Sequence, residues 1–272
     1  MRINNYSNNL YYKKPSTKVT FSSGTREYKN TIVSGNTRKV VLTTTWMFRD
    51  LDWGSFAKFL DKNFCDKSKV NIYSLASSDG SEAYTCAIAI KECIPSNRQK
   101  KFFPIRAYDI DDEILSVARS GRINLFPADR STVAKFVESH DWKRYLTNTG
   151  LNKYFKDKAE PIFVQNNSLA HNTYSYRVAD SLLNKVTFQK FDIMDRVSSL
   201  KDDGNTVLLC RNIFPYLGEW QGVRLIDTIG EKLKKGSLLV IGDYDYRNPS
   251  IDIHIELAGF ERVTRYVFRK KD

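Results

Sequence analysis

Polar side chains follow four segments that are predicted to be strands, and these residues are the best placed to do chemistry. Ser77 and Gly80 follow the first strand, Asp109 ends the second, Asp192 follows the third and Asn212 follows the fourth. Parallel strands bring their carboxyl ends to one edge of a sheet, and ligands bind there at the switch point. The sequence therefore predicts a small-molecule site at this edge. It contains no G-x-G-x-x-G, so a dinucleotide pyrophosphate is not the expected ligand.

Several of these positions suit part of a nucleoside. Gly80 lets the backbone pass close to a ligand, although a plain strand-to-helix turn would explain it taken alone. The Asp109 carboxylate can accept both hydroxyls of a ribose, whereas Asp111 is explained more simply as the N-cap of the next helix. Asp192 can accept from an adenine amino group while Ile193 packs on the ring. The residue types therefore favour a nucleoside ligand.

Strands and helices alternate along the chain and would position these residues. Strands are predicted at Val70–Ala76, Pro104–Tyr108, Val186–Phe191, Thr206–Cys210, Ser237–Gly242 and Phe260–Arg269. Helices are predicted at Thr43–Phe64 (with Asp52 as a cap), Glu82–Cys93, Asp111–Ser120 and Glu219–Leu233. Such alternation is typical of a doubly wound, mostly parallel α/β sheet with helices on both faces.

Two stretches depart from this alternation. Residues 1–40 are polar and lack helical periodicity, which predicts an N-terminal arm or tail before a domain of residues 41–272. Residues of about 125–180 are predicted to form a small antiparallel insert. Its expected elements are helices at Ser131–Phe136 and Asp141–Leu146 and strands at Pro161–Gln165 and Thr173–Val178.

Composition limits the partners. The chain of 272 residues carries 43 Lys and Arg against 31 Asp and Glu, a net charge of +12 that leaves nucleic acid open as a partner. It has no long basic run, so simple solubility also explains the charge. No apolar run reaches the length of a membrane span and no secretory signal is present, so we expect a cytoplasmic protein without membrane contact. Four cysteines without a Cys-x-x-Cys pair, and three histidines, predict no metal.

Four motifs carry a resemblance to a known family. Thr45-Trp-Met-Phe-Arg49 resembles a Thr-x-Phe-Phe-Arg entry segment, and the loop from Ser74 to Tyr84 resembles Ser-x-Gly-Glu-Glu-x-Tyr. The second-strand segment around Ala107-Tyr-Asp109 is also similar. Cys210-Arg-Asn212 followed by Tyr216 matches a Cys-Arg-Asn-x-x-x-Tyr segment. From Val41 to its C-terminus the chain resembles the CheR family, the chemoreceptor glutamate O-methyltransferases.

This resemblance implies a class I methyltransferase fold, Rossmann-like and seven-stranded, with S-adenosylmethionine as cofactor and S-adenosylhomocysteine as product. It implies that the cofactor is contacted by Thr45, Arg49, Glu82, Asp109, Asp192, Ile193 and Asn212. We place Ser77, Gly80 and Ile110 in the same pocket. Arg211 and Tyr216 would line the methyl-transfer site as the catalytic candidates.

The sequence also departs from the family pattern. The first Glu of the loop is Ser81, and the usual Asn-Leu pair at the adenine is Asp192-Ile193. Family members that methylate chemoreceptors carry a helical N-terminal domain that reads the receptor, and residues 1–40 are too short for it. The acceptor, a protein or a smaller acid, therefore stays open.

Three functions are compatible with these residues. A carboxylate acceptor is ionised at pH 7 and needs no general base, so Arg211 could hold an acid while Tyr216 orients it. Amino-group methylation of nucleic acid or protein is the first alternative, since Asn212-Ile-Phe-Pro-Tyr216 resembles an Asn-Pro-Pro-Tyr loop. A non-catalytic module that binds S-adenosylmethionine is the second alternative.

Overall fold

The computed structural model describes residues 47–125, 139–151, 174–217 and 219–272. Within these ranges the strands, numbered in chain order, are β1 Asn71–Leu75, β2 Ile105–Asp109, β3 Arg122–Leu125, β4 Leu146–Leu151, β5 Tyr174–Val178, β6 Val186–Lys190, β7 Thr206–Leu209, β8 Leu238–Val240, β9 Phe260–Arg262 and β10 Val267–Lys270. The helices are α1 Trp53–Asn63, α2 Ser81–Cys93, α3 Ser96–Gln99, α4 Asp112–Arg119, α5 Asp180–Leu183, α6 Ile193–Arg196, α7 Glu219–Lys232, α8 Asp243–Tyr246 and α9 Pro249–Leu257.

The main sheet has seven strands in the order β6-β2-β1-β7-β8-β10-β9. The first five are mutually parallel, and β10 runs antiparallel to both of its neighbours. The chain begins in the middle at β1, proceeds outward to β2 and β6, and then crosses back to β7. The predicted doubly wound sheet is therefore confirmed, and its switch point lies between the carboxyl ends of β1 and β7.

The core lies in two layers because successive strand residues point to opposite faces. On one face Ile72 and Val207 pack with residues of α1 and α2, such as Leu60. On the other face Tyr73 packs in a second cluster with residues of α7 and α9, such as Ile229. Both faces of the sheet are covered, as expected for parallel strands that are buried on both sides.

A three-stranded antiparallel sheet, in the order β3-β5-β4, lies apart from the main sheet. It is joined to the C-terminal end of α2, where the Glu92 carboxylate accepts from the Arg144 guanidinium and from the Tyr145 hydroxyl (2.8 Å). The predicted strand at Thr173–Val178 is confirmed as β5. The predicted elements Ser131–Phe136 and Pro161–Gln165 lie outside the described residues.

Two predicted helix caps, Asp52 and Asp111, are confirmed. The Asp52 carboxylate accepts from the Ser55 N–H at 3.0 Å and begins α1. The Asp111 carboxylate accepts from the Glu113 N–H at 2.8 Å and begins α4. Side-chain capping of this kind satisfies N–H groups that have no partner inside the helix.

Three predictions of secondary structure were wrong. The first helix begins at Trp53 and not at Thr43, because Phe48 and Asp50 adopt left-handed backbone conformations (φ 58° and 62°) that break a helix. The predicted helix at Asp141–Leu146 is a single 3-10 turn, Trp142–Tyr145. The strand predicted at Phe260–Arg269 is a hairpin, because the chain turns between β9 and β10.

Helices α8 and α9 were missed. In α9 the isoleucines at positions 251, 253 and 255 alternate as in a strand, so the pattern did not indicate a helix. The helix forms because Asn248 caps it, accepting from the Ser250 N–H at 3.1 Å, and because Pro249 suits its first turn. No helix in the described part of the chain is long and apolar enough to cross a membrane.

The turn after β1 requires glycine at position 80. Gly80 has φ +84°, and a Cβ there would lie 2.7 Å from Cζ of the Phe188 ring. We expect Gly80→Ala to lower the free energy of unfolding by about 2–4 kcal/mol, since left-handed strain and overpacking add. Gly236→Ala is the matched control: its φ is +89°, but the nearest atom to a Cβ is 3.6 Å away. Urea unfolding of both variants checks the difference, and equal losses would contradict the packing argument.

Candidate functional site

Left-handed backbone conformations are concentrated at one edge of the sheet. In the described part of the chain, the non-glycine residues with positive φ are Phe48, Asp50, Ala76, Ser78 and Asn212. They lie in three segments: the approach to α1, the loop after β1 and the loop after β7. Such conformations cost of order 1 kcal/mol each and collect where the surrounding structure holds a functional geometry. This edge is the one at which the sequence placed the site.

The loop after β1 leans over the end of β2. The Ser77 N–H donates to the Tyr108 carbonyl at 2.8 Å, and the Gly80 N–H donates to the Ser77 carbonyl at 3.0 Å. The Ser77 hydroxyl is buried and has no hydrogen-bond partner among the described residues. A buried polar atom without a partner usually marks a place where water or a ligand completes the bonding.

The Asp109 carboxylate is fixed by backbone N–H groups. One oxygen accepts from Ser78 N–H at 2.9 Å, and the other from Ile110 and Asp111 N–H at 2.8 and 3.1 Å. Burial raises the pKa of Asp109, while these donors oppose the rise by favouring its charged form. The oxygen that accepts only from Ser78 retains acceptor capacity, so Asp109 can still receive a hydroxyl donor. Ile110 is half-buried beside it.

Glu82 and Arg211 form a buried ion pair across the switch point. The Glu82 carboxylate accepts from the Arg211 guanidinium at 3.0 Å and from the Ser74 hydroxyl at 2.9 Å. The Arg211 side chain is only 2% exposed. Its other terminal nitrogen donates to the Arg49 carbonyl at 2.6 Å, and its guanidinium lies 5.1 Å from the centre of the Trp53 ring. Burial raises the pKa of Glu82, whereas Arg211 lowers it.

The segment before α1 contacts this ion pair. The Asp50 carboxylate lies 3.0 Å from Nε of Arg49 and 3.8 Å from the Arg211 guanidinium. It also accepts from the Asn212 side-chain amide at 3.2 Å. In turn the Asn212 amide oxygen accepts from the Tyr244 N–H at 3.0 Å, and the Arg49 guanidinium lies 4.9 Å from the Tyr244 ring centre. We call Arg49, Asp50, Glu82, Arg211 and Asn212 the polar cluster.

Four other residues that were predicted for the site are not members of the polar cluster. Tyr216 is in a 3-10 turn after β7 and is 46% exposed. Asp192 caps α6, accepting from the Met194 N–H at 3.0 Å, and Ile193 is buried in the second core cluster. Thr45 lies outside the described residues. The cofactor and catalytic roles of these residues stay predictions.

Three residues at this site were not singled out from the sequence: Asp50, which belongs to the cluster, and Tyr244 and Asp245, which contact it. The last two follow β8, a fifth parallel strand whose carboxyl end reaches the same edge. The strand-end rule could have found them, because it applies to every parallel strand of the sheet. Asp50 has no such signal, since it follows no strand and lay inside the predicted helix Thr43–Phe64.

The residues at this edge fit S-adenosylmethionine. The cluster balances two guanidinium groups, Arg49 and Arg211, against two carboxylates, Asp50 and Glu82. Asp109 adds negative charge at the same edge, which suits a sulfonium cation. The unpartnered Ser77 hydroxyl and the acceptor capacity of Asp109 suit the polar groups of a nucleoside.

A family model confirms this reading. The model of the CheR methyltransferase, SAM binding domain, matches residues 43–158 and 143–248. These matches cover more than half of the chain, so the chain belongs to this family, and S-adenosylmethionine is the cofactor of the domain. When only the strands of the main sheet are numbered, the strand order of this chain is that of class I methyltransferases. The last strand, β10, lies between β8 and β9 and runs antiparallel to both.

Two chemotaxis proteins are similar in sequence. The chemotaxis protein methyltransferase of Borreliella burgdorferi is 28% identical over 177 residues, covering 65% of this chain and 52% of that protein. Chemotaxis protein methyltransferase 2 of Vibrio cholerae is 27% identical over 173 residues, covering 64% of this chain and 50% of that protein. The chain thus spans about half the length of the curated relatives it matches.

A solved O-methyltransferase family protein from Burkholderia thailandensis matches at 12% identity and a TM-score of 0.40, covering 80% of this chain and 56% of that one. The fold assignment rests instead on the strand order and the family model. Across the described ranges, no group of three or more His, Cys, Asp or Glu side chains is arranged to hold a metal ion.

Asp79, in the loop after β1, gives a stability test. Burial raises the pKa of Asp79 to about 6, although a hydrogen bond from the Ser81 N–H at 3.0 Å acts to lower it. The folded chain therefore binds this proton more tightly than the unfolded chain, and the cost of burying the charge is greatest above pH 6. We expect Asp79→Asn to be more stable than the parent by roughly 1–3 kcal/mol at pH 8, and the gain to vanish toward pH 4.

Urea unfolding at pH 8, 6 and 4 measures this difference. The control is Asp111→Asn, because asparagine caps a helix about as well as aspartate and the Asp111 side chain accepts its bonds at the surface. The control shows what the same Asp-to-Asn change does to stability at a carboxylate near the surface. A gain for Asp79→Asn that stays constant with pH would contradict the burial argument.

Proposed function

We propose that this chain transfers the methyl group of S-adenosylmethionine to a carboxylate, with a glutamate side chain of a protein as the acceptor class. The proposal is carried by the polar cluster, which joins three separate segments at the switch point of a class I methyltransferase sheet. Two relatives are named as chemotaxis protein methyltransferases, and this supports the same chemistry.

When bound, S-adenosylmethionine supplies an electrophilic methyl group. The protein's part is to hold donor and acceptor in line and to exclude water, which is where most of the rate gain in such a displacement arises. Asp109 and Ser77 are suited to the nucleoside, and Arg49 to the carboxylate of the cofactor. A carboxylate acceptor is already ionised at neutral pH, so it needs no proton acceptor.

The acidic side chains of the cluster are occupied, which agrees with an acceptor that needs no base. Glu82 accepts from Ser74 and Arg211, and Asp50 accepts from Asn212 while facing Arg49. Using either as a base would break a buried ion pair. Such pairs are costly to separate because the remaining charge is left uncompensated.

We infer a different role for Arg211 from its buried position. Its guanidinium is held by Glu82, by the Arg49 carbonyl and by the Trp53 ring, and so it is not available to hold an acceptor acid. We propose that Arg211 is a positioning residue for Arg49 and Glu82. Tyr216, at 46% exposed, is the better candidate for contact with the acceptor.

The direct test is transfer of label from methyl-labelled S-adenosylmethionine into a glutamate-rich peptide and into a bacterial protein extract. We expect counts that are released as methanol by mild base, because carboxyl methyl esters hydrolyse under these conditions. Base-stable counts would instead favour amino-group methylation. Cofactor binding without transfer to any acceptor would favour a non-catalytic module, and no cofactor binding would overturn the proposal.

Two variants separate the roles of Arg211 and Tyr216. Arg211→Ala leaves Glu82 buried without its partner, so we expect cofactor affinity to fall by about tenfold or more together with turnover. Tyr216→Phe keeps the ring and removes only the exposed hydroxyl, so we expect cofactor affinity within about twofold of the parent and a lower kcat.

Calorimetric titration with S-adenosylhomocysteine and single-turnover transfer measure the two quantities separately. The revised role of Arg211 fails if Arg211→Ala binds cofactor normally and loses only turnover. That pattern would instead place the guanidinium on the acceptor.

A further inference from the structure

Asp245 is a buried carboxylate that no part of the proposed mechanism uses. It lies in α8, just beyond the carboxyl end of β8, and its exposure is 0%. Its oxygens accept from three backbone N–H groups: Gly242 at 2.9 Å, Phe214 at 3.1 Å, and Asn212. Two of these donors belong to the loop after β7, so one side chain joins the ends of two neighbouring strands.

The loop that Asp245 contacts carries two members of the polar cluster, Arg211 and Asn212. Asn212 has φ +56°, a left-handed conformation that asparagine adopts more readily than most other non-glycine residues. With the backbone held this way, the Asn212 side chain reaches Asp50 on one side and the Tyr244 N–H on the other. The hydrogen bond from Asn212 N–H to Asp245 therefore sets where the Asn212 amide lies.

The close approach of Gly242 supports the same geometry. A Cβ at Gly242 would overlap the Asn212 side-chain amide. Gly242 has φ −101°, which any residue adopts, so its backbone conformation does not require glycine. The glycine leaves room for the Asn212 side chain, and Asp245 accepts from the N–H groups of both residues.

From these contacts we infer that Asp245 is a positioning residue for the cofactor site, acting through Asn212. The inference rests on the proposed S-adenosylmethionine site. Burial raises the pKa of Asp245 to about 6. The three N–H donors and the nearby Arg211 guanidinium act in the opposite direction and lower this pKa. A buried charge kept at this cost is consistent with a role in holding the loop.

Asp202 provides a matched control. It is also buried and accepts from the backbone N–H groups of Gly204 (2.9 Å), Asn205 (3.3 Å) and Lys234. It lies at the amino ends of β7 and β8, opposite the polar cluster. Asp202→Asn and Asp245→Asn therefore remove the same kind of buried acceptor from opposite ends of the same two strands.

The experiment compares S-adenosylhomocysteine affinity by calorimetry, and midpoints of urea unfolding, for the full chain and both variants. We expect only Asp245→Asn to lose affinity, by about tenfold or more, while the unfolding midpoints show whether each variant is folded. Equal affinities for the two variants would overturn the inference. If the parent chain binds no cofactor, the proposed site itself fails, which is a separate result.

Two further variants keep the inference falsifiable if Asp245→Asn does not fold. Gly242→Ala displaces the Asn212 side chain without removing the carboxylate, so we expect a similar loss of affinity in a folded protein. Asn212→Gly keeps the left-handed backbone and removes the amide. In that background Asp245→Asn should cost less than about threefold in affinity, since coupled residues are not additive. Normal affinity in Gly242→Ala, or full additivity in the double variant, would contradict action through Asn212.

Discussion

The buried guanidinium of Arg211 is the interaction on which the functional edge of this protein depends. A charge out of contact with water is tolerated only when it is paired and hydrogen-bonded. Glu82 supplies the pair, the Arg49 carbonyl accepts a second bond, and the Trp53 ring covers the group. Because Arg211 and these partners come from three segments distant in sequence, satisfying one charge fixes the approach to α1, the start of α2 and the loop after β7 relative to each other.

The left-handed residues of these loops follow from the same constraint. Asp50 can face both Arg49 and Asn212 only if the chain turns sharply before α1, and Asn212 can reach Asp50 only if the loop after β7 turns as well. The core on both faces of the sheet is regular and well buried, so it can support this local strain. The polar edge is thus maintained by the packing of the sheet beneath it.

The sequence predicted what local patterns determine. Short apolar segments between turns marked five parallel strands, and Asp52 and Asp111 were predicted as helix caps because capping is a local interaction. The partners of Arg211 could not be predicted in this way. Glu82 lies 129 positions away in sequence, and spacing indicates only that both residues reach the same edge. Arg211 was therefore expected to face an acceptor, whereas the structure buries its side chain. Helix α9 was missed because its isoleucines alternate, while its cap and its packing on α7 determine its fold.

The most direct test is a crystal structure of this chain with S-adenosylhomocysteine bound. We predict that Arg211 remains paired with Glu82 beneath the ligand, and that Asp109 contacts the ribose hydroxyls while keeping its backbone donors. The side of the pocket open to the acceptor should then be lined by Tyr216. An Arg211 side chain that leaves Glu82 and projects over the sulfur would contradict this account, and would return the guanidinium to the methyl acceptor.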